Sequence, residues 1–224
     1  MEHIYACHKS GAPHRRPPYA YFSVVAPVSP ERRSNYKPWL ISAITAFSAL
    51  RHHGSTADFM VLLGTDLNHS HTGTCLYHDD ESMLARAQVR WRCVPAPHGF
   101  IGFNSGHFKL WLWQHTEYSK VQLIDADVLP LANLDAYFEL PTAVDAALIG
   151  CPGLASILNA GWFVAHPSCA TWRGLRALLQ SGVETERGSG WGGWQLPNDG
   201  WTDAWGRNHS ADWSFFDAEG SQGQ

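Results

Sequence analysis

The sequence predicts an α/β fold built on a mostly parallel, Rossmann-like sheet. Three observations carry that reading. Short runs rich in β-branched and aromatic residues recur along the chain, as in strands buried on both faces. Segments with helical spacing alternate with them. The cleanest late strand runs straight into Asp125-Ala126-Asp127, and ligands of such sheets gather at the carboxyl ends of strands.

In chain order, residues 19–26 (YAYFSVVA) read as a buried strand closed by Pro27, and PVSPERRSN as a polar loop. Residues 38–52 read as a helix with Leu40, Ile44 and Phe47 on one face, Ile41 and Leu50 beside them, and Gly54 as its stop. Residues 58–64 (DFMVLLG) are a second strand, 79–88 a helix, and 89–94 (VRWRCV) a third strand. Residues 108–118 form a Trp-rich segment without internal Gly or Pro, read as a helix. On such a helix Trp111 and Trp113 point to different sides and cannot both meet the core. Residues 121–124 (VQLI) are the fourth strand. Further strands are expected at 146–149 and 162–165, and a helix at 170–180 after Pro167 and Ser168. Residues 182–213 are dominated by Gly and Trp with no period, a long turn-rich insertion. The expected plan is a flexible N-terminus over 1–18 and one domain over 19–224 that carries this insertion.

Composition excludes some classes. Twenty acidic against sixteen basic residues leave a formal charge of −4, without the basic footprint that nucleic acid demands. No apolar run reaches membrane-spanning length, and residues 1–18 lack a signal-peptide core, so a soluble, cytoplasmic protein is expected. Cys7, Cys75, Cys93, Cys151 and Cys169 are odd in number and widely spaced, and predict neither a disulfide framework nor a zinc knuckle. The cluster His69, His71, Cys75, His78, Asp79 and Asp80 matches no zinc spacing and reads as a solvated loop. His98, His107 and His166 are expected near the carboxyl edge of the sheet, without identifiable partners. The eleven tryptophans suit either sugar-ring stacking or an aromatic core. Trp191, Trp194, Trp201, Trp205 and Trp213 belong to the insertion, where packing of the loop on itself is the favoured reading.

The chemistry concentrates at Asp125 and Asp127. Two carboxylates one residue apart at a strand end converge on a hard cation if the backbone turns there, and Mg²⁺ or Mn²⁺ held so clamps a diphosphate. Alone, D-x-D is weak, because two surface aspartates in a turn produce it often. Its flanks are specific in combination: Lys109-Leu110-Trp111, Tyr118-Ser119-Lys120, the strand into Asp127, and Leu131-Ala132-Asn133-Leu134-Asp135 followed by Ala136-Tyr137-Phe138. A second block is Leu158-Asn159-Ala160-Gly161-Trp162-Phe163-Val164 with Pro167-Ser168. Together these resemble the glycogenin-like retaining glycosyltransferases of family 8, although Phe108 stands where that family has Thr.

The resemblance implies a GT-A type nucleotide-diphospho-sugar transferase fold and transfer of a hexosyl unit from a UDP-sugar to a hydroxyl of a glycan or protein acceptor. It implies Asp125 and Asp127 as ligands of Mn²⁺ (or Mg²⁺), with Ala126 between them at the nucleotide. Val25 on the first strand and Tyr36 are implied on the uridine side. Lys109 is implied beside the phosphates or donor sugar, and Asn159 and Gly161 along the sugar pocket. Gln222 and Asp217 match, imperfectly, a D-G-G-D-Q-G segment at the reactive centre, with Ser221 where its second Asp belongs. The family's third metal ligand lies in a later H-x-x-G-x-x-K-P-W segment, so the resemblance implies a chain that stops short of it. Tyr36-Lys37-Pro38-Trp39 repeats only K-P-W, near the other end. The alternative is a degenerate or truncated protein that binds nucleotide or glycan without turnover. A sugar-nucleotide pyrophosphorylase would want a Gly-rich loop after the first strand, and PVSPERRSN has no glycine.

Overall fold

The computed structural model describes residues 18–29, 33–65, 75–95, 105–140, 148–151, 158–180, 201–202 and 208–209. Nearly all of the expected N-terminal tail, most of the 182–213 insertion, and His69, His71, His98, Asp217, Ser221 and Gln222 lie outside them. The chain divides into two compact units, Met1–Ile149 with Gly161–Gly182, and Gly150–Ala160 with Val183–Gln224.

The first unit holds the sheet. Its strands are β1 (Tyr19–Val28), β2 (Asp58–Thr65), β3 (Arg90–Pro95), β4 (Lys120–Ile124), β5 (Leu148–Gly150, whose last residue begins the second unit) and β6 (Trp162–Ala165). Their order is β3-β2-β1-β4-β6-β5. β1 pairs in parallel with both β2 and β4, β2 pairs in parallel with β3, and β6 runs antiparallel to β4. The mostly parallel α/β sheet is therefore as the sequence predicts. In the second unit, β7 (Trp201–Thr202) pairs antiparallel with β8 (Asn208–His209), and the Asn159 amide donates to the Cys151 carbonyl at 2.8 Å.

Both faces of the sheet are covered, and alternation along the strands sorts the core into two layers. Tyr21 and Val25 of β1 and Phe59, Val61 and Leu63 of β2 join Tyr36, Leu40, Ala43, Phe47 and Leu50 of helix α1 (Arg33–His52). Phe22, Val24, Met60 and Leu62 face the other way, onto Phe108, Trp111, Leu112 and Trp172. Each fully buried large side chain here is worth about 1.5–3 kcal/mol in area removed from water.

Helix α1 begins earlier than expected, at Arg33, with Pro38 inside it. The cause is a buried carboxylate on helix α2 (His78–Arg86). Asp80, 1% exposed, accepts from Arg33 Nε at 2.8 Å and Nη2 at 2.6 Å and from the Tyr36 hydroxyl at 3.0 Å, with Lys37 at 3.6 Å. These contacts give the first turn a partner that the sequence pattern does not show. The helix also faces the core differently: Tyr36 and Ala43 are buried, whereas Ile41 is 46% exposed. Its end is as expected. Gly54 takes a φ of +85°, and the Ser55 and Gly54 amides donate to the Leu50 and Arg51 carbonyls, a Schellman closure.

The Trp-rich segment is not the expected α-helix. Ser105–Gln114 is a tighter 3-10 segment, and Trp111, Leu112, Trp113, Gln114 and His115 are all buried in succession. An α-helix lying on a sheet leaves one side to solvent. This segment is covered on both sides, because helix α3 (Cys169–Gln180) closes over it. Trp111 meets Trp172 of α3 with ring centroids 4.8 Å apart, and Trp113 stacks on Phe163 of β6 at 5.8 Å. Both tryptophans are therefore core residues, contrary to the expectation that only one would be.

The cysteine expectation is also overturned. Cys75 and Cys93 form a disulfide that joins the segment before α2 to β3, and Cys169 is disulfide-bonded as well. Cys75 is thereby removed from any zinc site. Disulfides belong to oxidising compartments, so this pairing does not favour the expected cytoplasmic setting. Among the described residues no helix is long and apolar enough to cross a membrane.

Two predictions follow from this packing. A Cβ added at Gly64 of β2 would lie 2.6 Å from the Ala26 Cβ and 2.7 Å from the Phe108 ring, closer than carbon atoms approach. Gly64→Ala is expected to lower the unfolding free energy by about 1–3 kcal/mol in denaturant titrations. For Asp80, burial pushes its carboxyl up, but Arg33 and Tyr36 outweigh that and hold it below its ordinary value. A depressed carboxylate stabilises the fold above its unfolded pKa, and that contribution is lost as pH falls through the folded value. Asp80→Asn should cost about 1–3 kcal/mol at neutral pH. The gap to the native chain should close as pH drops below about 4.

Candidate functional site

Strand order reverses between β1 and β4: β2 and β3 extend the sheet from β1 one way, and β6 and β5 from β4 the other. In open α/β sheets such a reversal, at the carboxyl ends of two central parallel strands, is where ligands bind. β4 is buried from Val121 to Ile124 and then releases Asp125 at its end.

The backbone turns there as the two carboxylates require. The Asp125 amide donates to the Gly161 carbonyl at 2.9 Å, and the Val128 amide donates to the Asp125 carbonyl at 3.0 Å. Ala126 points into the core beneath α1, with Asp125 and exposed Asp127 on either side of it on one tight turn. Lys109 Nζ donates to Asp125 Oδ2 at 2.8 Å, the two side chains being 14% and 27% exposed. Lys109 is aimed there by its neighbour, because Phe108 is pressed against Gly64 of β2.

Most other residues that make the motif distinctive hold this turn in place. Asp135 opens a short 3-10 segment, Asp135–Glu139. Its Oδ1 accepts from the Tyr21 hydroxyl at 2.6 Å and from Ser55 Oγ at 2.7 Å, and its Oδ2 from the Thr56 amide at 3.2 Å. Asn133 Oδ1 accepts from the Asp135 amide at 2.8 Å. At the other end of the segment, Lys120 Nζ donates to the Phe138 carbonyl and to that of Leu140. Gln122, fully buried in β4, donates to the Leu134 carbonyl at 3.1 Å and accepts from Trp162 Nε1 at 3.0 Å. The Tyr118 hydroxyl donates to Asp58 at 2.8 Å at the start of β2. Burial and the Asp135 carboxylate push the Tyr21 hydroxyl far above its ordinary pKa, so it stays a donor throughout the working range.

The structure brings together Lys109, Asp125, Ala126, Asp127 and Gly161. Asn159 lies in the second unit and is exposed. Val25 and Tyr36 are each 1% exposed within the α1-side core. Tyr36 is engaged by Asp80, which with burial pushes its hydroxyl well up, and its ring presents no stacking face to a base. His166 follows β6 at the edge opposite Asp125, since the antiparallel register sets Ala165 against Val121. It does not stand at the carboxyl edge, and burial with Lys120 holds its pKa below the ordinary imidazole value. His107 is partly buried on the segment that carries Lys109. Gly64, Asp80 and Asp135 were missed as positioning residues; only Asp135 had a sequence signal, its place in L-x-N-x-D.

The donor set fits a hard divalent cation. Asp125 and Asp127 offer carboxylate oxygens from one turn, and no cluster of three His, Cys, Asp or Glu forms among the described residues. Two carboxylates, with remaining positions left to phosphate and water, is how Mg²⁺ is held beside diphosphates.

Over 88 residues the chain is 41% identical to glycogenin-1 of Homo sapiens, covering 38% of this chain and 22% of that protein. The chain resembles the glycogenin-like glycosyltransferases. A putative UDP-glucuronate:xylan alpha-glucuronosyltransferase 3 of Arabidopsis thaliana is 30% identical over 135 residues, 60% of this chain and 20% of that one. The chain thus spans about a fifth of the length of these curated relatives. No family model matches. Among solved structures, the bifunctional glycosyltransferase WbbM in its apo form aligns over 74% of this chain and 34% of its own, with a TM-score of 0.49 and 11% identity. The glycosyltransferase GlyE of Streptococcus pneumoniae TIGR4 aligns over 75% of this chain and 39% of its own, at 0.46 and 17%.

Asp135→Ala would deprive the buried Tyr21 hydroxyl of its carboxylate acceptor, and should cost about 1–3 kcal/mol in equilibrium unfolding. Tyr21→Phe in the Asp135→Ala background should recover part of that loss, because the orphaned donor goes with it.

Proposed function

We propose that the chain carries the nucleotide-sugar site of a retaining glycosyltransferase, which moves a hexosyl unit from a UDP-sugar to a hydroxyl of a glycan or protein acceptor. The observation that carries this reading is the Lys109–Asp125 pair on the turn that closes β4, at the reversal of strand order. An ammonium on one carboxylate, with a second carboxylate on the same turn and the backbone of the first locked by Gly161 and Val128, suits a diphosphate and its counter-ion.

Asp125 and Asp127 would hold Mn²⁺ or Mg²⁺, which supplies Lewis-acid stabilisation of the charge developing on the departing UDP. Lys109 adds a preorganised positive charge to the same phosphates. Val25, in the carboxyl half of β1, belongs to the uridine end. Tyr36, implied on the same side, is buried against Asp80 and does not stack on the base. Gly161 would lie along the sugar, and the resemblance gives Asn159 the same role and assigns Gln222, with Asp217, to the reacting centre. Departure of UDP and arrival of the acceptor on one face of the sugar would retain the anomeric configuration.

Asp125→Asn and Asp127→Ala are each expected to lower Mn²⁺-dependent UDP-sugar hydrolysis by about a hundredfold or more. Hydrolysis that survives in either variant at the native rate overturns the ligand assignment. UDP binding without turnover in the native chain would instead point to a non-catalytic binding protein.

A further inference from the structure

We infer that Lys109 is a resident counter-cation for Asp125, which a divalent ion displaces only when a diphosphate arrives to receive the lysine. The inference rests on the proposed nucleotide-sugar site and concerns how that site loads. Lys109 Nζ occupies Asp125 Oδ2 at 2.8 Å. With 14% and 27% of the side chains exposed, the pair is shielded from bulk water more than a surface ion pair, whose worth is small. Asp127 on the same turn is exposed, and among the described residues no ion pair to it is found. The turn therefore offers an incoming cation one open carboxylate and one already neutralised.

The backbone of Lys109 has little freedom to withdraw. Phe108 is wedged against Gly64, and residues 111–115 are buried between the sheet and α3. What remains movable is the lysine stem, a flexible four-carbon chain with a point charge at its tip. A diphosphate at the carboxyl end of β4 gives that charge a new partner within reach and releases the Asp125 oxygen. Ion and nucleotide then bind interdependently, and by linkage each raises the other's affinity by the same factor.

The test is Mn²⁺ binding, followed by the electron paramagnetic resonance signal of the free ion, with and without UDP, for the native chain and for Lys109→Gln, Lys109→Met and Lys109→Arg. The native chain is expected to bind Mn²⁺ weakly alone and more tightly with UDP. Without UDP, the Gln and Met variants should bind Mn²⁺ on the order of tenfold more tightly than the native chain, and UDP should tighten them less. Lys109→Arg, which keeps the charge, should behave as the native chain. The Met variant keeps most of the apolar stem, so it carries the test if the Gln variant fails to fold. If neutral variants bind Mn²⁺ no better than the native chain while the native chain still takes Mn²⁺ with UDP, the counter-cation role is overturned and the site reading stands. If the native chain takes no Mn²⁺ even with UDP, both are overturned.

Discussion

Asp135 holds the segment that follows the D-x-D turn against the sheet. One carboxylate gathers the Tyr21 hydroxyl of β1, the Ser55 hydroxyl and the Thr56 amide that lead into β2. It thereby fastens the segment after the D-x-D turn to β1, the neighbour of β4, and to the chain entering β2, the next strand along. Lys120 and Gln122 pin the same segment from β4 itself. Without those bonds the turn at Asp125 would be a free loop end. With them it is a fixed platform, and carboxylates on rigid supports need little reorganisation when charge develops beside them.

A second constraint sets the cation. Gly64 lets the 3-10 segment approach β2 so closely that a methyl group would not fit, and that approach brings Phe108, and so Lys109, to the end of β4. The tryptophans of this region serve the same purpose: Trp111 and Trp113 fill the layer between sheet and α3. Within the described first unit, the aromatic excess is largely a matter of core packing. The sugar-platform reading has no support from Trp111, Trp113 or Trp172.

Much of the fold was legible because its signals are local. Strands buried on both faces need continuous apolar runs, and β1, β2 and β4 have them. Gly54 announces the end of α1 by the φ it must adopt. The errors share a cause, in that each depends on a partner distant in sequence. The first turn of α1 exists for Asp80 on α2. Cys75 and Cys93 meet only where the segment before α2 packs beside β3. His166 falls on the wrong edge because β6 runs antiparallel, which no local pattern announces. The 3-10 winding of the Trp-rich segment follows from burial on two sides, which its own periodicity does not reveal.

By itself, then, the sequence determined the α/β class, the central strands and the position of Asp125 and Asp127 at a strand end, because side-chain periodicity and strand-end polarity are written in consecutive residues. It also singled out Lys109, Gly161 and Asp135 through motif spacing, without saying what they touch. Only the tertiary structure decided that Lys109 meets Asp125, that Gly161 and Val128 lock its backbone, and that Asp135 anchors the turn. Those are contacts between segments far apart in the chain, and their geometry is set by strand order and close packing, which consecutive residues do not encode.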